Sequence, residues 1–125
     1  MGKWPLNKKE SYIYTHGLCH LLAECLKNLE VGEPVVVSPL NHPEKNWSHM
    51  AIRLKDGLIV DGAGIYIEND FKKLWHANGY NGMYLIDFNR DDFWSYMKNN
   101  HHSAPGGIPE VAERIVNFLK ENELL

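Results

Sequence analysis

The sequence predicts an α+β fold in which one long helix packs on an antiparallel sheet with additional smaller helices. Three observations carry this expectation. Residues 17–30 place Leu18, Leu21, Leu22, Cys25, Leu26 and Leu29 at the three-and-four spacing of one helical face, with His20, Glu24, Lys27 and Asn28 opposite. Short apolar runs bounded by turn residues follow, a pattern that suits strands. The chain has 125 residues, enough for one core, so a single domain over 1–125 is expected.

Gly32 and Pro34 are expected to stop the first helix, and Val35-Val36-Val37-Ser38 reads as a short buried strand ended by Pro39. Asn41, His42, Pro43 and Asn46 mark an irregular loop over 40–46. A hairpin follows, with 48–54 as one arm, Lys55-Asp56-Gly57 as the turn and 58–62 as the other arm. Asp70 or Asn69 is placed to cap a helix carrying Phe71, Leu74 and Trp75, which Asn78-Gly79 would close. Residues 83–88 read as another strand, and Asp91-Asp92 as the start of a short aromatic helix through Phe93, Trp94 and Met97. A loop over 99–107 leads to Pro109, which suits the first turn of a final amphipathic helix with Val111, Ile115, Phe118 and Leu119.

Hydrophobic residues make up 44% and charged residues 23%, which excludes disordered and collagen-like chains. Thirteen Lys and Arg against sixteen Asp and Glu give a net charge of -3, so the chain offers no broad cationic field and no nucleic-acid partner is expected. Apolar runs such as Val35-Val36-Val37 are too short to span a bilayer and the first residues lack the apolar stretch of a secretory signal. A cytoplasmic protein without a membrane partner is therefore expected. Cys19 and Cys25 share one predicted helix, where they stand roughly 9 Å apart along the axis, so both read as reduced thiols.

Chemistry concentrates at three of these positions. Cys19 falls in the first turn of the long helix, where unpaired backbone N–H groups and the helix dipole favour a thiolate. If Lys55-Asp56-Gly57 forms a three-residue loop with Gly57 in the left-handed bulge position, Arg53 pairs with Ile59, Ile52 with Val60, Ala51 with Asp61, and His49 opposes Ala63. His49 and Asp61 are then diagonal neighbours on one face, about 7 to 8 Å apart in backbone terms, within reach of one imidazole–carboxylate hydrogen bond. A thiolate to attack an acyl carbon, an imidazole to hold and deliver the proton and a carboxylate to orient the imidazole form a Cys-His-Asp triad.

The run Gly17-Leu18-Cys19-His20-Leu21-Leu22-Ala23, then Ser48-His49-Met50-Ala51-Ile52-Arg53-Leu54 and Gly57-Leu58-Ile59-Val60-Asp61, resembles the papain-like superfamily in its transglutaminase-like and NlpC/P60-like branches. The resemblance covers roughly the first half of the chain. It implies a papain-like fold, with a helix-borne Cys on an antiparallel sheet. It also implies amide hydrolysis, deamidation or transamidation of a protein, peptide or small amide substrate, with Cys19 as nucleophile, His49 as base and Asp61 as orienting acid. No glutamine precedes Cys19 where papain-type peptidases supply an oxyanion donor; the helix N-terminal N–H groups near Cys19 can stabilise the oxyanion, Tyr14 and His16 are the side-chain candidates for that task, and Trp47 is a candidate cover for the imidazole. No cofactor is implied.

Each residue also has a plainer role. Cys25, inside the apolar stripe, reads as a small buried hydrophobe, and His20, on the polar side with Glu24 and Lys27, as a solvated histidine paired with Glu24. A zinc site built from His16, Cys19, His20 and His49 is one rival. A non-catalytic binding or inhibitory module is another, its surface supplied by Trp47, Trp75, Tyr80, Tyr84, Trp94 and Tyr96. Gly62-Ala63-Gly64 and Gly106-Gly107 complete no phosphate-binding motif.

Overall fold

A computed structural model describes residues 2–39, 47–77, 83–88 and 107–125. Asn7 starts the first helix, α1 (Lys8–His16): its side chain accepts from the Glu10 N–H at 2.8 Å, and the Glu10 carboxylate accepts from the Asn7 N–H at 3.1 Å. This reciprocal capping box satisfies two otherwise unpaired donors. Apolar periodicity passes over α1, which carries no strong stripe, so the helix is an addition to the expected elements.

After Gly17 and Leu18 comes α2 (Cys19–Asn28), with Leu18 at its N-cap and Cys19 as its first residue. The helix is therefore two residues shorter at each end than the apolar pattern 17–30 suggests. Gly32 and Pro34 do not stop it. Glu30 does, at φ 59°, with the Val31 N–H donating to the Leu26 carbonyl and the Glu30 N–H to that of Lys27. Gly32 serves a close approach instead, since a Cβ there would fall 2.1 Å from the Arg53 carbonyl oxygen.

The strands are β1 (Glu33–Ser38), β2 (His49–Arg53), β3 (Ile59–Asp61), β4 (Gly64–Tyr66) and β5 (Tyr84–Asp87), in the antiparallel order β4-β3-β2-β1-β5. The hairpin register matches the expected one, with Ile52 opposite Val60 and Arg53 opposite Ile59, and Gly57 takes φ 95° at the turn. The paired ladder stops there and does not extend to Ala51 and Asp61. β4 is an addition that the glycine-rich stretch after Asp61 conceals.

The third helix, α3 (Glu68–Leu74), begins three residues earlier than an Asp70 cap requires and two earlier than an Asn69 cap, with Ile67 at the N-cap and no side-chain cap bond. Pro109 lies in the first turn of α4 (Ile108–Glu121), as expected. The loop 40–46, the closing pair Asn78-Gly79, the aromatic helix 91–97 and most of the loop 99–107 lie outside the described residues. The described chain is thus α+β, with four helices and a five-stranded antiparallel sheet.

Alternation along the strands divides the core. Val36, Met50, Ile52, Leu54 and Val60 pack with Leu21, Leu22 and Leu26 of α2 and with Ile115 and Leu119 of α4, while Val35, Val37, Ala51 and Ile59 pack with Phe71 of α3. Both faces of the sheet are covered, and no helix among the described residues is long and apolar enough to cross a membrane.

Candidate active site

Asp61 closes β3 and His49 opens β2. Their side chains meet at 2.8 Å, His49 Nε2 to Asp61 Oδ2, with the two residues 0% and 3% exposed. The other carboxylate oxygen of Asp61 accepts from the backbone N–H groups of Ala63 at 2.8 Å and Gly64 at 3.1 Å, which fixes the carboxylate before it addresses the imidazole. With Nε2 committed to Asp61, Nδ1 is the ring atom left for the thiol; it is shut from solvent and has no oxygen or nitrogen partner among the described residues.

Cys19 comes to this imidazole from the far side of the sheet. It belongs to the α2-facing core, yet it shares an enclosed crevice with Met50, Ala51, Asp61 and Gly62, at the place where the β2–β3 ladder has already ended. The tip of α2 therefore reaches the point where the two strands part. Burial pushes the Cys19 thiol up, but hydrogen bonds from His20 and His49, the charge of His49 and the Met50 backbone N–H outweigh it and hold the thiol at about 6. Burial likewise lowers His49, but hydrogen bonds to Asp61 and Cys19, with the charges of both, raise it to about 9. Between these values the pair exists as thiolate and imidazolium. Cys25 is half-buried in the α2 stripe, less enclosed than its position suggests, and burial with the nearby charge of Glu24 pushes its thiol up. Both cysteines are free.

Aromatic rings from α3 and its C-cap cover the imidazole. Trp75 stacks on it with ring centroids 4.1 Å apart and planes 14° from parallel, and Phe71 lies 6.0 Å away. The cover is thus Trp75 and not Trp47, whose ring lies 5.8 Å from that of His20. No local pattern links residues 49 and 75, so the sequence carries no signal for this stack. Of the two side-chain oxyanion candidates, Tyr14 is buried and lines the crevice beside Cys19, whereas His16 is exposed, its ring 4.5 Å from that of Tyr12. His20 corrects a further expectation: it is 6% exposed, with both ring nitrogens shut from solvent, and it is among the groups that hold the Cys19 thiol low. The helical wheel assigns it to the polar face, but at the first turn that side of α2 lies under Trp47. Its place directly after Cys19 was the available signal.

The turn behind Asp61 is tightly supported. A Cβ on Gly62 would fall 2.7 Å from Tyr14 Cβ, and the Trp4 indole N–H donates to the Gly62 carbonyl at 3.0 Å. Among the described residues, no group of three or more His, Cys, Asp or Glu is placed to hold a metal ion. Comparisons with protein-family models, with curated proteins and with solved structures find no match for this chain.

Proposed function

We propose that this chain is a thiol-dependent acyl-transfer enzyme with a papain-like arrangement, in which Cys19 is the nucleophile, His49 the proton carrier and Asp61 the orienting carboxylate. The observation that supports it most is the fully buried His49, whose Nε2 is held by Asp61 at 2.8 Å while its other nitrogen is left to a thiol at the tip of a helix. A structural cysteine has no need of a buried, carboxylate-oriented imidazole, and burying such a pair costs several kcal/mol in desolvation, on the order of the effect of an ordinary core residue.

In the reaction, the Cys19 sulfur bonds to the acyl carbon of an amide and the carbonyl electron pair moves to oxygen. Collapse of that intermediate breaks the carbon–nitrogen bond, and the leaving amine takes its proton from the His49 imidazolium. Water or an incoming amine then gives a proton to His49 and attacks the thioester, which releases the acyl group and restores the thiolate. Asp61 keeps the ring in the tautomer that presents Nδ1 to the sulfur. Substrates of this chemistry are proteins, peptides or small amides.

The test is acylation by p-nitrophenyl acetate. The expected result is a burst of p-nitrophenol with one acetyl group on the peptide carrying Cys19, lost in Cys19→Ala and in His49→Ala. Folded wild-type protein with no acetyl group on Cys19 overturns the reading. A second reading, a non-catalytic binding module, draws on the closure of the site: the thiol is 5% exposed, and the crevice beside it leaves no room for a water molecule. A Cys19→Ser variant that keeps the full biological effect decides for that reading.

A further inference from the structure

The apolar stripe of α2 is wider than the chain itself covers. Leu22 and Leu26 are each 1% exposed, whereas Cys25 is half-buried and Leu29, at the end of the same stripe, is 52% exposed. Both line a groove of about 520 Å³ between α2 and α4, with half-buried Val116 on its α4 wall and the exposed side chains of Glu113, Asn117 and Lys120 along its rim. Glu113 and Lys120 stand two turns apart on this flank of α4, about 10 Å along the axis. Arg114, on the other flank, pairs with Glu10 and Glu110, but neither Glu113 nor Lys120 has an ion-pair partner among the described residues.

We propose that this groove seats α4 of a second copy of the chain, the two helices antiparallel about a two-fold axis. A matching occupant offers a cation to Glu113 and an anion to Lys120 at that spacing, around an apolar centre that covers Val116 and Leu29. The same flank of α4, run the other way, meets each condition. With the axis passing between Val116 and Asn117, Glu113 faces the partner's Lys120 and Lys120 faces the partner's Glu113. A parallel pair would instead set like charges against each other. The contact is made twice by symmetry and closes on itself, so assembly ends at two copies. Burial of the uncovered stripe drives association, while the rim charges fix direction and register. The groove meets α2 at its C-terminal half, about 9 to 15 Å along the axis from Cys19, so the second copy does not cover the thiol. The proposal is independent of the chemistry assigned to Cys19.

Sedimentation equilibrium of the full chain, loaded from about 5 to 500 µM at low salt, brackets a micromolar dissociation constant. The mass of the wild type should rise with concentration from 14.4 kDa toward twice that value. Glu113→Lys and Lys120→Glu each set like charges together at both symmetric contacts and should weaken the dimer by about tenfold or more. Glu113→Lys combined with Lys120→Glu restores opposite charges and should return the dissociation constant to within about threefold of the wild type. Both side chains are exposed, so the core is untouched in all three variants. A wild type that stays at 14.4 kDa up to the highest loading overturns the proposal. So does a dimer that neither single swap weakens, or one that the double swap fails to restore, since the two copies then meet through another face or in another register.

Discussion

Removing the imidazole should return Cys19 to the behaviour of a buried, ordinary thiol, and the size of that return follows from the balance at the sulfur. At about 6, Cys19 lies about 3 pH units below the ordinary 9.0, which at 1.36 kcal/mol per unit is about 4 kcal/mol in favour of the thiolate. That preference is what remains after burial has acted against it, and His49 supplies both a hydrogen bond and a charge toward it. If His49 accounts for half of the net preference, His49→Ala raises the thiol by about 1.5 pH units, and at pH 6 the ionised fraction falls from about one half to about 3%. The assay is iodoacetamide labelling across pH 5 to 10, with peptide mass spectrometry to separate Cys19 from Cys25 and each rate scaled to its alkaline plateau. The scaled rate of Cys19 at pH 6 should drop by at least about tenfold in the variant. A wild-type midpoint near 9, or a midpoint that does not move in His49→Ala, would refute the proposed coupling.

Asp61→Ala should leave more acylation than Cys19→Ala or His49→Ala, because the carboxylate orients the ring without touching substrate; it should also cost about 3 kcal/mol in urea unfolding, since it strands a buried imidazole and two backbone N–H groups. Stability should be nearly flat between pH 6.5 and 9: the raised His49 contributes fully below 6.5 and is lost as pH rises through about 9, while the lowered Cys19 contributes above 9 and is lost as pH falls through about 6, so the two slopes oppose each other. Cys19→Ser removes the second slope, and its stability by urea unfolding should fall as pH rises above 6.5. Glu30→Gly should gain about 1 kcal/mol in thermal unfolding, because Glu30 holds a left-handed φ of 59° that glycine takes without a Cβ penalty; an unchanged or lower melting temperature would count against that account of the helix end.

Local physics explains what could be read in the sequence. The α2 stripe, the Gly57 turn and the Pro109 helix start each depend on residues within a few positions of one another, and all three are present. The turn then set the hairpin register, and the register brought His49 to Asp61. What stayed hidden depended on distant partners or on competition between signals. Trp75 reaches His49 only through the docking of α3 on the sheet, and His20 is buried because Trp47 lies over a helix face that composition marks as polar. Glycine misled at residue 32, where close packing against Arg53 and not helix termination requires it. The α1 capping pair was readable, but apolar spacing outweighed it.

The support behind Asp61 has a consequence for the order of assembly. Trp4 bonds the Gly62 carbonyl and packs edge-on against Phe118 at 5.3 Å, and Arg114 bonds the Pro5 carbonyl at 3.1 Å and the Glu10 carboxylate. The hairpin can set its own register, but the turn that aims its carboxylate is clamped by residues that precede it and by a helix synthesised after it. The brace behind the carboxylate is therefore complete only when both ends of the chain are in place, Trp4 on the Gly62 carbonyl and Phe118 of α4 against Trp4.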